Sequence, residues 1–298
     1  GCLQEAGLLA GVCNDDRGTG EVCCGLFEGG TMLDKKRRDG SELYKDKKDL
    51  VSRINLIEKY GTNDFNQWLL KKLKLQQGEK VLDIGCGNGS QILAYSQVTN
   101  NIVGIDLSES LLREAKKRIK EFAPGKDFVL IRENGENIPF KENTFDVVTC
   151  NFAIYYMNEK KVMTEIKRVL KPYGRFLIAS PPDDTSREMV EMHYRVAKYI
   201  PPQYQPGSSD LRKEVLPVAK KIFCNLSLEL FVNPIVFPDV ETFMEHYMSS
   251  TLYVQSKEWC ENLLFRMKKE AQRVFAERGN ITVTKKVEAL KGYKRGLV

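Results

Sequence analysis

The sequence predicts an α/β fold in which helices cover both faces of a mostly parallel sheet. Three observations support this prediction. Residues 80–84 form an apolar segment that is typical of a strand buried on both faces. Glycines follow this segment at alternate positions, as in a tight turn from a strand into a helix. Helical and strand patterns then alternate as far as residue 179, which requires right-handed crossovers between parallel strands.

The glycine turn after the first strand predicts a ligand site. Gly85, Gly87 and Gly89 leave the main chain bare, so that a ligand can approach it. Their spacing is G-x-G-x-G, and Ser90 stands where a dinucleotide-binding loop would have its third glycine. Asp83 lies inside the strand, where an ionised carboxylate needs a cationic or hydrogen-bond-donating partner. An acid at this position argues against a diphosphate, so we expect a different ligand.

The elements around this turn follow from their own patterns. Residues 49–75 repeat apolar side chains every three or four positions and predict two amphipathic helices broken at Gly61. Ser108 is placed to cap a helix that Pro124 terminates. The other predicted elements of this half are a helix over 91–97, a strand ending at Asp106, strands over 128–132, 145–150 and 175–179, and a helix through 162–170.

The alternation ends at Pro181 and Pro182. Residues 183–225 contain an aromatic-bearing helical segment and a proline-rich loop, and we expect them to form an insertion between the fifth and sixth strands. Alternating side chains predict a sixth strand over 227–236 and a last strand over 280–287. Helical periodicity between them predicts helices over 240–250 and 256–277.

Length and composition are those of a soluble globular protein. The chain has 298 residues, of which 42% are hydrophobic and 29% charged, so one core with additions is the simplest division. No apolar run approaches the ~18 residues of a membrane span. The net charge of +6 is spread over helices that also carry acids, whereas a nucleic-acid binder gathers its charge in one stripe. Basic clusters at 35–38 and 285–295 leave an anionic partner open.

The cysteines are unevenly placed, at Cys2, Cys13, Cys23, Cys24, Cys86, Cys150, Cys224 and Cys260. They form no zinc-type C-x-x-C pair, so we expect no metal site. The last four lie in apolar or motif contexts, and we expect them to be free thiols in a reducing, cytoplasmic setting. Residues 1–31 have no helical or strand periodicity, and we expect them to be a non-native or disordered extension before the domain over 32–298. A cysteine-bearing peptide fused to the enzyme that modifies it is the alternative for this segment.

Residues 81–89, V-L-D-I-G-C-G-N-G, resemble motif I of the class I S-adenosylmethionine-dependent methyltransferases, and within them the type 11-like family. Further segments follow in the family's order: 101–106 resemble the second strand with its ribose-binding acid, 133–140 the adenine-side loop, 144–148 the fourth strand and 168–178 the approach to the fifth. The resemblance covers residues 50–180 closely and the remainder loosely.

This resemblance implies a Rossmann-like seven-stranded sheet in the order 3-2-1-4-5-7-6, with the last strand antiparallel. The implied parts are N-terminal helices over 49–75, a cofactor-binding core over 76–180, a helical cap insertion over 181–225, and C-terminal strands and helices over 226–298.

The resemblance also implies S-adenosylmethionine as the methyl donor and S-adenosylhomocysteine as the product. Asp106 would accept hydrogen bonds from both ribose hydroxyls, and Asp83 would meet the α-ammonium group directly or through water. Asn134 stands where many members have an aspartate that accepts from the adenine amino group. The implied cofactor-binding residues are Tyr60, Asp83, Gly85, Cys86, Gly87, Gly89, Asp106, Leu107, Asn134, Gly135, Glu136 and Asn151.

The acceptor side is predicted from the segment after the fourth strand and from the insertion. Tyr155 falls near the place where a histidine or an aromatic residue often stands in this family, and its hydroxyl is able to orient an acceptor or to deprotonate it weakly. A histidine base would have to be His193 or His246, and we take His193 as the catalytic candidate. An aromatic cap follows the sheet, so we expect an enzyme that methylates a small molecule.

Three other functions stay open. Methylation of RNA or protein is supported only by the basic clusters, and Cys150-Asn151-Phe152-Ala153 replaces the N-P-P-Y type tetrad of some amino-methylating enzymes. A non-catalytic cofactor-binding scaffold would carry a broken motif I, whereas the glycines and both acids are intact. A nicotinamide dehydrogenase shares the glycine turn but lacks the later matches. A homodimer is compatible with the sequence, and we expect neither a nucleic-acid nor a membrane partner.

Overall fold

The structure is a computed structural model that describes residues 47–201 and 211–296. The predictions for residues 1–31 lie outside the described residues, as does Tyr204 in the proline-rich loop. Among the described residues, no helix combines the length and the apolar character needed to cross a bilayer.

The described strands form one seven-stranded sheet in the order β3-β2-β1-β4-β5-β7-β6, which confirms the predicted order. Strands β1 to β5 pair in parallel, and β7 pairs antiparallel with both β5 and β6. The strands are β1 (Val81–Ile84), β2 (Ile102–Asp106), β3 (Val129–Arg132), β4 (Phe145–Asn151), β5 (Leu170–Ser180), β6 (Cys224–Phe237) and β7 (Ile281–Tyr293).

The helices are α1 (Lys47–Tyr60), α2 (Phe65–Leu73), α3 (Ser90–Tyr95), α4 (Glu109–Phe122), α5 (Glu159–Val169), α6 (Arg187–Ala197), α7 (Leu216–Ile222), α8 (Val240–Met248), α9 (Thr251–Ser256) and α10 (Leu263–Arg278). A 3-10 turn covers Ile154–Tyr156 and a π-helical turn covers Leu211–Val215. The predicted insertion between the fifth and sixth strands thus contains α6, the π-helical turn and α7.

Both faces of the sheet are covered because successive strand residues point to opposite sides. Leu82 and Val148 belong to a first apolar cluster, which α5 and α7 close. Val81 and Val147, one position earlier on the same strands, belong to a second cluster under α2, α3 and α4. Continuous apolar strands of this kind require helices on both sides, as the sequence predicted.

Strands β6 and β7 run beyond the carboxyl end of β5. Ser180, the last residue of β5, lies opposite Glu288, whereas β7 already begins at Ile281. We call the free two-stranded part, residues 231–237 and 281–287, the projecting ribbon. A third apolar cluster joins this ribbon to α6, α8 and α10. Helix α6 of the predicted cap insertion therefore packs, together with α8 and α10, on an extension of the sheet.

The junction between α1 and α2 is fastened to the projecting ribbon. Gly61 forms an isolated antiparallel bridge with Ile235, and the Thr62 N–H donates to the Pro234 carbonyl at 3.0 Å. The Asn63 amide donates from Nδ2 to the Val232 carbonyl at 2.8 Å. The predicted break in the N-terminal helices is confirmed, and residues at the break form hydrogen bonds with the main chain of β6.

Two predicted element boundaries near the C-terminus were wrong, as was the start of β5, which lies at Leu170 and not at residue 175. The helix predicted over 256–277 is interrupted, because Asn262 adopts a left-handed conformation with φ of 54° before α10 begins. The last strand continues to Tyr293 instead of ending near residue 287. Its second half pairs with β5 on one side and β6 on the other, and these two ladders outweigh its poor strand pattern.

Candidate functional site

The glycine turn lies at the carboxyl edge of the sheet, where β1 ends. Gly85 and Gly87 have φ of 68° and 52°, a region that favours glycine. A Cβ on Gly85 would lie 2.3 Å from the Ala153 Cβ, whereas a Cβ on Gly87 would meet nothing within 4 Å. Gly85 therefore packs against the loop that follows β4, and Gly87 faces open space that a ligand can fill.

Asp106 holds this turn in place from the end of β2. The N–H of Gly87 donates to its Oδ2 at 2.9 Å, and the N–H of Ser108 donates to its Oδ1 at 2.8 Å. Burial raises the pKa of Asp106, and the two backbone hydrogen bonds act in the opposite direction. Each oxygen can accept a further hydrogen bond. The carboxylate is thus fixed in a position to receive two adjacent hydroxyls, and Leu107 beside it is 60% exposed.

Asp83 has an unsatisfied buried oxygen. Its side chain is 1% exposed, and the Thr149 hydroxyl donates to Oδ1 at 2.7 Å. Within the described part of the chain, Oδ2 has no hydrogen-bond partner. Burial raises the pKa of Asp83 to about 7, helped by the negative charge of Asp106 and opposed by the Thr149 hydrogen bond. A carboxylate oxygen of this kind is suited to a cationic donor.

A second unsatisfied atom lies beside it on β4. Asn151 donates from Nδ2 to the Tyr95 hydroxyl at 3.1 Å, and its buried Oδ1 has no partner among the described residues. Burial raises the pKa of Tyr95, with a further contribution from Asp83. Sequence reasoning predicted Asn151 but missed Tyr95 and Thr149. Asp83 and Thr149 are paired in the parallel register of β1 and β4. Aligning these two strands would therefore have identified Thr149 as a neighbour of Asp83.

The loop over 133–140 is held by hydrogen bonds to its own side chains. The Asn134 Oδ1 accepts from the Glu136 N–H at 2.9 Å, which leaves one lone pair for a ligand. The Glu136 Oε1 accepts from the Asn158 N–H at 2.7 Å, just before α5. A Cβ on Gly135 would lie 2.5 Å from Ile84, so the loop lies against the end of β1. The structure brings this loop to the glycine turn.

Two predicted cofactor-binding residues have side chains that pack against apolar clusters. Cys86 is 2% exposed and belongs to the second apolar cluster, and a Cβ on Gly104 would lie 2.8 Å from its sulfur. Only the backbone of Cys86 can therefore face a ligand. Tyr60 packs against the third cluster, with its ring centroid 6.4 Å from that of Phe237. Its contact with the cofactor stays a prediction.

Helix α2 reaches the glycine turn through Asn66. The Gln91 side chain donates to Asn66 Oδ1 at 3.2 Å, and Asn66 Nδ2 lies 3.5 Å from the Ser90 hydroxyl. Ser90 and Gln91 open α3, which follows the last glycine of the turn. The N-terminal helical segment thus contacts the site through a residue that sequence reasoning missed.

An aromatic wall joins α2, the residue that follows β4, and β6. We define it as Phe65, Trp68, Phe152 and Phe231. Ring centroids are separated by 5.1 Å between Phe65 and Phe152, 5.5 Å between Phe65 and Phe231, and 5.4 Å between Trp68 and Phe231. Phe152 follows β4 with φ of 58°, a conformation that costs roughly 1–2 kcal/mol for a non-glycine residue. Strain of this kind is often found at functional sites.

The two predicted catalytic residues lie in different surroundings. Tyr155 is half-buried, packs against the first cluster and contacts the Tyr156 ring at 4.4 Å. His193 is 0% exposed, and its Nδ1 and Nε2 lie 2.6 Å from the Tyr247 hydroxyl and 3.3 Å from the Ser256 hydroxyl. Burial lowers the pKa of His193 to about 4. His193 is therefore a satisfied core histidine, and only Tyr155 is kept as a catalytic candidate.

The different surroundings of Gly85 and Gly87 give a matched pair of variants. Gly85→Ala is expected to lower the melting temperature, because its Cβ overlaps that of Ala153. Gly87→Ala is expected to cost only about 1–2 kcal/mol of stability for its positive φ but to weaken ligand binding strongly, because its Cβ enters the open space. Thermal unfolding and calorimetry with S-adenosylhomocysteine separate the two effects. Unchanged affinity in Gly87→Ala would place the ligand elsewhere.

Comparisons with known proteins relate part of this chain to methyltransferases. Residues 82–178 match the family model described as a methyltransferase domain. Demethylmenaquinone methyltransferase of Lactiplantibacillus plantarum is 33% identical over 138 residues, which are 44% of this chain and 58% of that protein. The uncharacterized methyltransferase YcgJ of Bacillus subtilis is 31% identical over 127 residues, 41% of this chain and 49% of that protein. The chain thus spans about half the length of the curated relatives that it matches.

Solved structures show the same fold. The crystal structure of YcgJ superposes with a TM-score of 0.53 at 22% identity, covering 78% of this chain and 98% of that one. A phosphoethanolamine N-methyltransferase of Haemonchus contortus, solved with phosphomonomethylethanolamine and S-adenosylhomocysteine, gives a TM-score of 0.52 at 19% identity, covering 86% of this chain and 59% of that one. At identities of 22% and 19%, these superpositions show a shared fold and nothing further.

Proposed function

Because the chain carries a methyltransferase domain with the class I fold, we propose that it transfers a methyl group from S-adenosylmethionine to a small-molecule acceptor. The observation that carries the proposal is the unpartnered Asp83 Oδ2, buried beside a glycine turn whose Gly87 faces open space. An α-ammonium group is the donor that such an oxygen lacks, and the turn leaves the room that a nucleoside amino acid needs.

The residues present fit this cofactor. Asp106 would hold the ribose hydroxyls with oxygens that the backbone already orients, and the Asn134 loop would lie along the adenine. Asp83 would take the ammonium group, with Thr149 fixing its other oxygen. The cofactor supplies an electrophilic methyl group on its sulfonium. The protein's part is to hold an acceptor in line with that methyl group and to exclude water.

A small acceptor is supported by what surrounds the site. The aromatic wall and the projecting ribbon extend past the carboxyl ends of β4 and β5, and they offer apolar ring surface that suits a small organic acceptor. The relatives named above act on demethylmenaquinone or bind phosphomonomethylethanolamine, both of which are small molecules. Methylation of RNA or protein is the competing proposal, and a screen of acceptors distinguishes it.

Calorimetry with S-adenosylhomocysteine, followed by transfer of a labelled methyl group to fractionated cell extract, tests the proposal. We expect binding in the first experiment and label in a low-molecular-weight fraction in the second. Lack of binding would overturn the cofactor assignment. Binding without transfer to any fraction would favour a cofactor-binding scaffold, and label in the RNA or protein fraction would replace the small acceptor with a macromolecule.

Tyr155→Phe is expected to lower turnover at least about tenfold while cofactor affinity stays within a factor of two, because only the hydroxyl near the acceptor is removed. Tyr156→Phe, a change to the neighbouring ring, is the matched control. Steady-state kinetics with the acceptor found in the screen and calorimetry with S-adenosylhomocysteine measure the two effects. Equal turnover in both variants would remove Tyr155 from the catalytic residues.

A further inference from the structure

Lys285 interrupts an apolar face of the projecting ribbon. It lies opposite Asn233, and side chains two positions apart on a strand share a face. The neighbouring pairs on this face are apolar and belong to the second and third clusters: Phe231 with Val287, and Ile235 with Val283. Lys285 and Asn233 therefore form a polar position between two apolar clusters, where a charge needs a partner.

Arg53 brings a second cation to this position. It lies on α1 and donates from Nη1 to the Ser249 carbonyl at 3.3 Å, at the end of α8. In the part of the chain that the structure describes, neither Arg53 nor Lys285 forms an ion pair with a carboxylate. Burial lowers the pKa of Lys285 to about 7, Arg53 lowers it further, and Glu188 acts in the opposite direction.

Glu188 does not neutralise these cations. Its carboxylate accepts from the Thr284 N–H at 3.0 Å and from the Thr284 hydroxyl at 2.6 Å, along the edge of β7 that faces away from β6. These two hydrogen bonds keep it on the strand edge, so the two cations lack a direct counter-ion among the described residues.

His246 lies beside the same cations and is itself unsatisfied. It is 0% exposed, its ring is 5.1 Å from that of Phe237, and both ring nitrogens lack a partner among the described residues. Burial lowers the pKa of His246 well below its usual value, with Lys285 and then Arg53 lowering it further. A neutral imidazole presents one N–H and one lone pair. Leaving both unpaired is costly unless a ligand meets them.

We propose that Arg53, Lys285 and His246 form a binding site for an anionic oxyacid group, a carboxylate or a phosphate, carried by the acceptor. Two cations offset the charge of such a group, and the imidazole N–H adds a directed hydrogen bond. The assignment of this group to the acceptor rests on the function proposed above. Binding of an oxyanion at these residues does not depend on that function and can be measured by itself.

The position of the site fits one end of an extended acceptor. Ser180 at the end of β5 is opposite Glu288, so Lys285 lies roughly 10 Å beyond the edge of the sheet at the usual rise of a strand. The aromatic wall reaches from Phe231, on the same ribbon as Lys285, through Phe65 to Phe152, which directly follows β4. An acceptor anchored by its anionic end would extend along this wall toward the glycine turn.

Thermal unfolding of the full chain in inorganic phosphate, sulfate or succinate tests the site, with ionic strength matched by chloride. We expect at least one oxyanion to raise the melting temperature by about 2–5 °C. This rise should disappear in Lys285→Met and in Arg53→Met. Lys286→Met is the matched control, because Lys286 follows on the same strand, points to the opposite face and pairs with Asp184. A response to phosphate and sulfate alone, or to succinate alone, identifies the oxyacid.

His246→Phe gives a second test that changes no charge. It keeps an aromatic ring against Phe237 and removes both ring nitrogens, so the apparent affinity for the effective oxyanion should fall roughly tenfold or more. Without oxyanion, Lys285→Met should be at least as stable as the unaltered protein, because it removes an unpaired cation. An equal oxyanion response in all of these variants, or no response in the unaltered protein, would overturn the proposal.

Measurements of cofactor binding distinguish the anion-site proposal from the methyl-transfer proposal. Lys285→Met is expected to bind S-adenosylhomocysteine with unchanged affinity, because Lys285 lies on the ribbon and not at the glycine turn. If the unaltered protein binds S-adenosylhomocysteine but no oxyanion, only the anion site fails. If it binds an oxyanion but no S-adenosylhomocysteine, the anion site stands and the methyl-transfer proposal fails.

Discussion

Asp106→Ala is expected to weaken binding of S-adenosylhomocysteine by roughly 10²- to 10⁴-fold. Two hydrogen bonds to a charged acceptor, each worth about 1.5–3 kcal/mol, are lost together. The substitution also removes the carboxylate that holds the Gly87 and Ser108 N–H groups, so the glycine turn loses an anchor. Calorimetry of the purified variant measures the affinity, and circular dichroism confirms that the sheet is intact.

Two further variants complete this experiment. Asp106→Asn keeps the side-chain shape and one acceptor oxygen, so we expect an intermediate affinity. Asp127→Ala, which removes an exposed carboxylate before β3, is the control and should bind normally. Binding by Asp106→Ala within a factor of two of the unaltered protein would show that the ribose assignment is wrong.

Asp83→Asn is expected to change how stability depends on pH. Burial raises the pKa of Asp83 to about 7, above its ordinary value near 4. Between these values the folded protein binds a proton that the unfolded chain has released, so the free energy of unfolding falls as pH rises through this window. The full loss above pH ~7 is roughly 4 kcal/mol for the unliganded protein. Asparagine has no such titration, so the unliganded variant should gain stability at pH 8 and change little at pH 4.

The same substitution should remove a proton release that accompanies cofactor binding. An ammonium group beside Asp83 favours its ionised form, so binding below pH ~7 must expel the proton. Calorimetry in buffers of different ionisation enthalpy measures this release, and denaturant titrations at pH 4 and pH 8 measure the stabilities. Asp83→Asn should release no proton and bind at least about tenfold more weakly. Proton release that persists in the variant would assign it to another group.

The sequence was most informative about the sheet and least about the later strands. The apolar runs of β1, β2 and β4 predicted that these strands are buried, because a strand covered on both faces must be apolar throughout. The end of β7 could not be predicted in this way. Residues 288–293 include Lys291 and Gly292 without clear alternation, and they form a strand because β5 and β6 lie on both sides of them.

Within the site, residues that act through local main-chain geometry were predictable, and residues that act through distant partners were not. The glycine turn and Asp106 follow from short segments of sequence. Thr149 and Tyr95 are important only because folding brings β4 and α3 against Asp83. The Cys86 side chain turns into the second cluster, whereas alternation from Leu82 and Ile84 would have placed it in the first, because Gly85 adopts a left-handed conformation where β1 ends.

The contact between the N-terminal helices and the ribbon predicts which two positions vary together among related chains. A Cβ on Gly61 would lie 2.5 Å from Asn233 Nδ2 and 2.5 Å from the Ile57 carbonyl, so no larger residue fits while the helix junction rests on the ribbon. Selection should therefore act on positions 61 and 233 as a linked pair. Among chains that share this sheet, glycine after the first helix together with asparagine on strand six should identify those with the same cap, and substitutions at the two positions should covary.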